Sequence, residues 1–331
     1  MFHSGKIEDF LRSSNKTLER LMPLLTPTGV ILGLLLGNHV AWMKPAVTYL
    51  FAFLTLVNGM GVSVNDFCSV LRRPKPILAF GLCTYILMPL LVAIIGNLFF
   101  PGNNDVITGY LLLYCIPSAV VACVWSGIYK GNMALSLSIL VLATCLAPFI
   151  TPASISLLAH SDIQIDTKGM VISLFTMVVI PSIIGIAINA ATKGKCNEHL
   201  TPCLKPFTKI ALLFVIIINT SQVAERLIQD ADWIYIPEAL TALLLTTASF
   251  FLSYLVSGFM KLKAEETVSV VYASGMRNIS AALVLAIDFF PPAAAIPVIS
   301  GIVLQQTTCA IISHFLFGAK PEKKTAILGG K

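Results

Sequence analysis

The sequence contains few charged residues. Asp, Glu, Lys and Arg make up 11% of its 331 residues, whereas 56% are hydrophobic. A soluble domain typically carries about 25% charged residues, so this scarcity excludes a water-soluble globular protein and a disordered chain. The eight cysteines show no paired spacing, which excludes a disulfide scaffold. We therefore expect an integral membrane protein.

Motifs for catalysis and for metal binding are also absent from the sequence. It contains no phosphate-binding loop, no GxSxG motif and no His or Cys spacing typical of a metal site. The net charge of +6 comes mainly from loops, so we expect no nucleic-acid partner. No loop is long enough to fold a soluble domain. We predict a protein that is not an enzyme, with no cofactor and no obligatory protein partner, surrounded by the lipid bilayer.

Long apolar runs make up most of the chain. A membrane helix needs about 20 mostly apolar residues, and ten segments meet this length. Eight of them carry no charged residue: 21–43, 45–65, 76–104, 106–129, 131–161, 169–192, 239–260 and 289–319. Two more are apolar but interrupted by charge, 207–228 and 267–288. The sequence therefore predicts ten spans, five within residues 21–161 and five within residues 168–317.

The basic residues between these spans predict the topology. If the N-terminus is cytoplasmic, eighteen Lys and Arg residues lie on the cytoplasmic side and three, Lys44, Lys168 and Arg226, lie opposite. Membrane proteins concentrate Lys and Arg in cytoplasmic loops. We therefore expect a multi-pass protein of the bacterial inner membrane. Residues 1–20 would form a cytoplasmic N-terminal arm, and residues 318–331 a cytoplasmic tail.

The two halves of the chain resemble each other weakly. Five spans per half reverse the orientation of the second half, so any repeat is inverted. Span 4 carries Pro117 and Ser118 in its middle, and span 9 carries Ser274, Gly275 and Arg277 in its middle. Interrupted segments at corresponding positions of two halves are the best sequence indication of a transport site. We expect spans 4 and 9 to be discontinuous.

Several motifs resemble the bile acid:sodium symporter family. They are KGNMALSLSIL and PFITP around span 5, GMRN in span 9, GMGVSVNDF after span 2 and YILMP in span 3. The resemblance implies an all-α fold of ten transmembrane helices in two inverted five-helix repeats. It also implies a panel domain of spans 1, 2, 6 and 7. The core domain comprises spans 3, 4, 5, 8, 9 and 10, with discontinuous spans 4 and 9 crossing in it. Family substrates are bile acids and smaller organic anions, usually driven by sodium.

The residues at the family's sodium sites differ in this chain. According to the resemblance, a Gln is replaced by Thr84, Ser-Asn by Ala122 and Cys123, Thr by Leu140, Glu by Ala273 and Gln by Arg277, while Ser136 is retained. Hard cations need several oxygen ligands. Most of those oxygens, including the carboxylate, are missing here. We predict that neither family site binds sodium.

Arg277 is the most unusual of these replacements. In the family, one Glu and two sodium ions give the crossing a charge of about +1, and here Ala273 and Arg277 give the same charge. An Arg near the bilayer centre costs roughly 2.5–3.5 kcal/mol on insertion scales, so it needs partners. All acidic residues lie in loops or near span ends. Two kinds of partner remain open, namely helix C-terminal carbonyls and a substrate anion.

The predicted function is secondary transport of a small organic anion, such as a bile-acid-like compound, a carboxylate or a sulfonate, by alternating access and without sodium. The candidate substrate-binding residues are Arg277, Asn278, Ser274, Ser118, Gln305 and Gln306. Two alternatives remain open. One is a sodium-coupled symporter with a rearranged ion site. The other is a non-transporting sensor or receptor on a transporter scaffold.

Overall fold

A computed structural model describes residues 2–63, 74–159, 166–225 and 235–318. Over these ranges the chain is helical and contains no strand beyond a single isolated β-bridge. The predicted cytoplasmic tail, except for Gly318, lies outside the described residues.

The described residues include thirteen helices, α1–α13. They are α1 (Phe2–Leu36), α2 (Asn38–Ala41), α3 (Lys44–Gly59), α4 (Pro74–Phe99), α5 (Asn104–Cys115), α6 (Val120–Ile128), α7 (Met133–Leu158), α8 (Thr167–Ala191), α9 (Cys196–Ser221), α10 (Tyr235–Phe259), α11 (Ala264–Gly275), α12 (Ile279–Phe289) and α13 (Ala295–Phe317). Helix α4 includes a π-helical turn at Cys83–Leu87. A short 3₁₀ turn, Pro292–Ala294, precedes α13.

Six helical segments within the described ranges are long and apolar enough to cross a membrane. They are α4, α7, α8, α9, α10 and the segment Pro292–Phe317 that contains α13. The chain is therefore a multi-pass membrane protein, as predicted. Spans 4 and 9 are each divided into two short helices, and α1 contains the shorter apolar segment Pro27–Leu36. The count of ten spans and their inverted repeat stay predictions.

Residues 2–20 of the predicted N-terminal arm lie in the same helix as the start of the first predicted span, and the arm as a cytoplasmic unit stays a prediction. Helix α1 begins at Phe2 and continues through the first predicted span to Leu36. It packs along α9. The Arg12 side chain also donates a hydrogen bond of 2.7 Å to the carbonyl of Glu198, near the start of α9. The end of the arm at residue 20 therefore does not coincide with a helix boundary.

The helices pack in two interconnected groups. Helix α3 lies against α8 and α9, and α9 lies against α1. In the other group α10 packs against α11 and α13, while α5 packs against α4, α7 and α13. Contacts of α1 with α13, and of α7 with α8, join the groups. The division into panel and core domains stays a prediction.

The breaks in spans 4 and 9 have local causes. Ile116 is extended, with φ −70° and ψ 152°, because the residue before a proline is disfavoured in the helical conformation. Pro117 also lacks the N–H that would continue the helix. In span 9 the helix stops after Gly275. The Asn278 side chain then starts α12 by accepting a hydrogen bond from the Ala281 N–H at 3.4 Å.

A close backbone contact joins α3 and α8. A methyl group added to Gly185 would lie 2.7 Å from the backbone nitrogen of Met60 and even closer to the Leu56 carbonyl oxygen. Small residues allow membrane helices to approach to this distance, which strengthens their van der Waals packing. Gly81 on α4 is different, because a methyl group there would meet nothing within 4 Å.

Adding a methyl group at Gly185 and at Gly81 should have different effects on stability. Gly185→Ala should lower the free energy of unfolding by about 1–3 kcal/mol through overpacking. Gly81→Ala, the matched control, should leave it unchanged or raise it, since Ala is the better helix former. Thermal unfolding of the two purified variants in detergent measures the difference. Equal melting temperatures would contradict the contact between α3 and α8.

Candidate functional site

The two breaks in spans 4 and 9 cross and satisfy each other's backbone. Ser118 and Arg277 form an antiparallel β-bridge. The Asn278 N–H donates to the Pro117 carbonyl at 2.9 Å, and the Ala119 N–H donates to the Met276 carbonyl at 2.9 Å. A broken helix inside a membrane needs such partners, because lipid supplies none. The crossing therefore stabilises both breaks together.

Gln305 on α13 holds this crossing in place. Its side-chain oxygen accepts a hydrogen bond of 2.8 Å from the Arg277 N–H, and its amide nitrogen donates to the Arg277 carbonyl at 3.1 Å. The side chain thus pairs both backbone groups of the residue at the centre of the break. Gln306 points elsewhere, since it accepts a hydrogen bond of 3.2 Å from the Trp125 indole on α6.

The Arg277 side chain is enclosed by the protein. The residue is 1% exposed, and its Nη1 lies 3.5 Å from the Ile116 carbonyl oxygen, a long hydrogen bond. That carbonyl lies at the C-terminal end of α5, where a helix has partial negative charge. Within the described part of the chain, Nε and Nη2 have no hydrogen-bond partner and no ion pair joins the guanidinium. Of the two partners expected, the carbonyl is present in this structure.

Neutral side chains surround the guanidinium. The titratable side chains in its vicinity are those of Tyr85, Cys115, Tyr114 and Cys83. The Tyr85 hydroxyl is itself buried without a hydrogen-bond partner in the described residues. Sequence reasoning did not select Tyr85, although it begins the YILMP motif. It lies in the π-helical turn ahead of Pro89, and π-helical turns often occur at functional sites.

The hydroxyls that survive at the family's sodium positions bond to other hydroxyls. Thr84 donates to the Ser274 hydroxyl at 3.3 Å, and Ser136 pairs with the Ser126 hydroxyl at 2.8 Å. The remaining former sodium positions, Ala122, Cys123, Leu140 and Ala273, are buried and offer no side-chain oxygen. No cluster of three or more His, Cys, Asp or Glu is present among the residues the structure describes.

Sequence reasoning did not identify Ser269, which extends the Ser126–Ser136 pair. Ser269 on α11 lies 3.3 Å from Ser126 and donates to the Asn132 carbonyl at 3.0 Å. It thereby links α11 to α6 and to the start of α7. The sequence signal was weak, because a serine near a span end is common.

Five of the six predicted substrate-binding residues lie at the crossing. Asn278 caps α12, and the Ser118 hydroxyl lies 3.4 Å from the Met276 carbonyl. Ser274, Gln305 and Arg277 complete this group, whereas Gln306 lies beside Trp125. The structure thus brings most of these residues together, and at least four of them already take part in the hydrogen bonds of the fold.

Comparison with known proteins identifies the family. The model of the sodium bile acid symporter family matches residues 48–230, more than half of the chain. An uncharacterized protein of Bacillus subtilis, YbaS, is 37% identical over 302 residues, covering 91% of this chain and 98% of its own. The chain belongs to the sodium bile acid symporter family. Family membership favours a secondary transporter over an enzyme.

More distant members of the sodium bile acid symporter family cover similar ranges. A rice protein described as "probable sodium/metabolite cotransporter BASS2, chloroplastic" is 27% identical over 89% of this chain and 71% of its own. A Bacillus subtilis protein described as "uncharacterized sodium-dependent transporter YocS" is 23% identical over 81% of each chain. The resemblance deduced from the motifs is confirmed.

The two hydrogen bonds between the Gln305 side chain and the Arg277 backbone predict the effect of removing that side chain. Gln305→Ala would leave the N–H of Arg277 buried and unpaired, which should cost about 1–3 kcal/mol of stability. The Arg277 carbonyl would keep the hydrogen bond of 2.9 Å that it accepts from the Ile279 N–H. The matched control, Gln306→Ala, removes a bond to the partly exposed Trp125 and should cost less. Thermal unfolding of both variants tests this, and equal losses would contradict the special role of Gln305.

Proposed function

We propose that this protein is a secondary transporter of small organic anions, namely bile-acid-like compounds, carboxylates or sulfonates, and that it works without sodium. The observation that supports the proposal is the buried guanidinium of Arg277 at the crossing, with no carboxylate paired to it in the described residues. A fixed charge of this kind takes the part that sodium ions play in the family, because it neutralises partial negative charge at the broken helix ends.

The side chains at the former sodium positions do not offer the oxygen ligands that a sodium ion needs. Ala122, Leu140 and Ala273 contribute no side-chain oxygen, and the hydroxyls of Thr84 and Ser136 are engaged with other serines. A guanidinium nearby would also repel a cation. Backbone carbonyls are the remaining oxygens, and those of Pro117 and Met276 already accept hydrogen bonds across the crossing. These observations support the absence of sodium coupling.

Binding of the organic anion would require the crossing to open. Arg277 is covered in this structure, so a direct or water-mediated contact needs a movement of helices around it. Alternating access in transporters commonly moves one bundle against another about the binding site. In such a movement the guanidinium would supply the charge. Hydrogen bonds to the anion would come from Ser274, Asn278, Ser118, Gln305 and Gln306.

The membrane potential constrains the direction of transport. Moving one charge across 100 mV corresponds to about 2.3 kcal/mol. Without a co-transported cation, uptake of a monoanion would run against an inside-negative potential. Export, anion exchange and transport down a gradient are therefore consistent with the proposal, whereas concentrative uptake is not, unless a proton enters with the anion.

A second candidate is a sodium-coupled symporter with a rearranged ion site. Two relatives favour it, since one is described as a probable sodium/metabolite cotransporter and the other as a sodium-dependent transporter. The structure offers one place to look, the oxygens of Ser126, Ser269 and Asn132 between α6, α7 and α11.

Transport by purified protein in lipid vesicles distinguishes the two candidates. Radiolabelled taurocholate, pyruvate, pantoate and an alkyl sulfonate serve as probes, each assayed in potassium and in sodium salts. We expect at least one probe to cross at the same rate in both salts. Arg277→Ala should lower that rate about tenfold or more, whereas the matched control Arg12→Ala, which removes a partly exposed arginine of α1, should not. Accumulation that requires sodium would overturn the proposal in favour of the second candidate.

Sodium binding can also be measured without a substrate. A ligand that binds the folded state raises the melting temperature, and the increase grows with the logarithm of its concentration relative to its Kd. We expect equal melting temperatures in sodium gluconate and potassium gluconate for the wild type. A saturable increase in sodium, lost in Ser269→Ala, would instead locate the rearranged site.

A further inference from the structure

A cavity lies between the first half of α4 and the middle of α7. Its volume is about 470 Å³, which is within the range of ligand-binding cavities. The lining comes from α4 between residues 77 and 86, from Leu142 and Leu146 on α7, and from Met260, which follows α10. Tyr85 carries the only polar atom among the lining side chains. The cavity therefore suits a hydrocarbon chain better than a polar ligand.

The cavity lies beside an exposed apolar face of α4. Leu78, Leu82 and Ile86 line it, recur every four residues and so share one face of the helix. They are 61%, 38% and 52% exposed. A methyl group added to Gly81 would meet nothing within 4 Å, so the space beside this face is open. Because α4 is apolar and long enough to cross a membrane, we expect this face to contact acyl chains.

Two lysines adjoin one end of the cavity. Ile77 is the lining residue nearest to the start of α4, and it packs against the same hydrophobic cluster as Met260. Lys75 precedes Ile77 by two residues, Lys261 directly follows Met260, and both lysines are exposed. Within the described residues neither lysine takes part in an ion pair. The sequence predicts that this end faces the cytoplasm.

The charges around this end leave it basic. Lys263 adds a third lysine, and the first turn of α11 adds Glu265 and Glu266. The Glu266 carboxylate accepts a hydrogen bond of 3.2 Å from the Lys263 N–H and so caps α11. Three lysines against two carboxylates give a net positive charge beside an apolar cavity. An amphipathic anion matches this combination of charge and lining.

We propose that this cavity binds an anionic phospholipid, with one acyl chain along α4 and the phosphate at Lys75 and Lys261. Basic pockets between transmembrane helices on the cytoplasmic side bind anionic lipid headgroups in other membrane proteins. A zwitterionic lipid offers the same chains without the net negative charge, so the lysines should favour the anionic lipid. This site goes beyond the proposed function and does not depend on it.

Thermal unfolding of the purified protein in detergent with added lipid tests the site. Dioleoyl phosphatidylglycerol and dioleoyl phosphatidylcholine have the same chains and differ in net charge. We expect the anionic lipid to raise the melting temperature in a saturable manner at a lower concentration than the zwitterionic lipid. The double variant Lys75→Gln and Lys261→Gln should raise the half-saturating concentration of the anionic lipid about tenfold or more, because each lysine contributes to the attraction.

The matched control for the lysines is the double variant Lys193→Gln and Lys195→Gln. It removes two exposed lysines and the same charge, and Lys193 shares with Lys261 a positive φ, 52° against 54°. Neither control residue adjoins a lining residue of the cavity. The half-saturating concentration of the anionic lipid should therefore stay at the wild-type value.

Gly81→Leu tests the place of the acyl chain. The new side chain would occupy the open space beside α4 and should abolish the saturable stabilisation. Gly258→Leu is the matched control, because a methyl group there also meets nothing within 4 Å while Gly258 does not line the cavity. Glycerol 1-phosphate, which has the headgroup phosphate but no chains, should leave the melting temperature unchanged.

Each result supports or overturns the proposal. It is overturned by equal half-saturating concentrations of the two lipids, by a lipid effect that persists in Gly81→Leu, or by stabilisation with glycerol 1-phosphate alone. Stabilisation by taurocholate that Gly81→Leu removes would identify a substrate cavity instead. If Gly81→Leu does not fold, the lysine variants decide, since their exposed side chains form no ion pair in the described fold. The transport proposal is judged separately, through Arg277→Ala.

Discussion

The rest of this structure depends on the hydrogen bonds between two broken helices where they cross. The N–H of Asn278 and the carbonyl of Pro117 pair across it, as do the N–H of Ala119 and the carbonyl of Met276. Neither break could persist alone in lipid, where unpaired backbone groups have no water to bind. Gln305 pairs the remaining backbone groups of Arg277 from a third helix. The crossing is therefore a joint property of α5, α6, α11, α12 and α13.

The charge at this crossing links the fold to its function. Relatives described as sodium-dependent share the family with a chain that carries an arginine beside the break. A mobile cation can leave with its substrate, whereas a guanidinium remains in place. Under the proposed function, replacing one by the other changes what drives transport, while the all-helical fold is kept. In the closed crossing Arg277 is buried, and within the described residues its Nη1 faces the Ile116 carbonyl while Nε and Nη2 have no hydrogen-bond partner.

Much of the site could be predicted from the sequence, but only as a set of positions. Pro117 predicted the first break, since a proline disfavours the helical conformation of the residue before it. Gly275 and Asn278 indicated the second break, and the helix ends between them. The partners could not be predicted in the same way. Tyr85 lies nearly two hundred positions from Arg277 along the chain, and its vicinity to Arg277 becomes visible only when α4 and the crossing are placed together. Gln305 and Gln306 are adjacent, yet only Gln305 reaches the break.

Apolar runs, proline positions and loop charges are local properties, so the sequence by itself determined a membrane-embedded, all-helical chain with interruptions in spans 4 and 9. Its motifs also determined the family. Only the tertiary structure decided which donors of Arg277 are satisfied, that α1 continues through the expected arm, and that the hydroxyls of Thr84 and Ser136 pair with those of Ser274 and Ser126. Hydrogen bonding and burial depend on the distances between segments that are far apart in the chain, and differences of a few tenths of an ångström decide whether a bond forms. No local pattern encodes those distances.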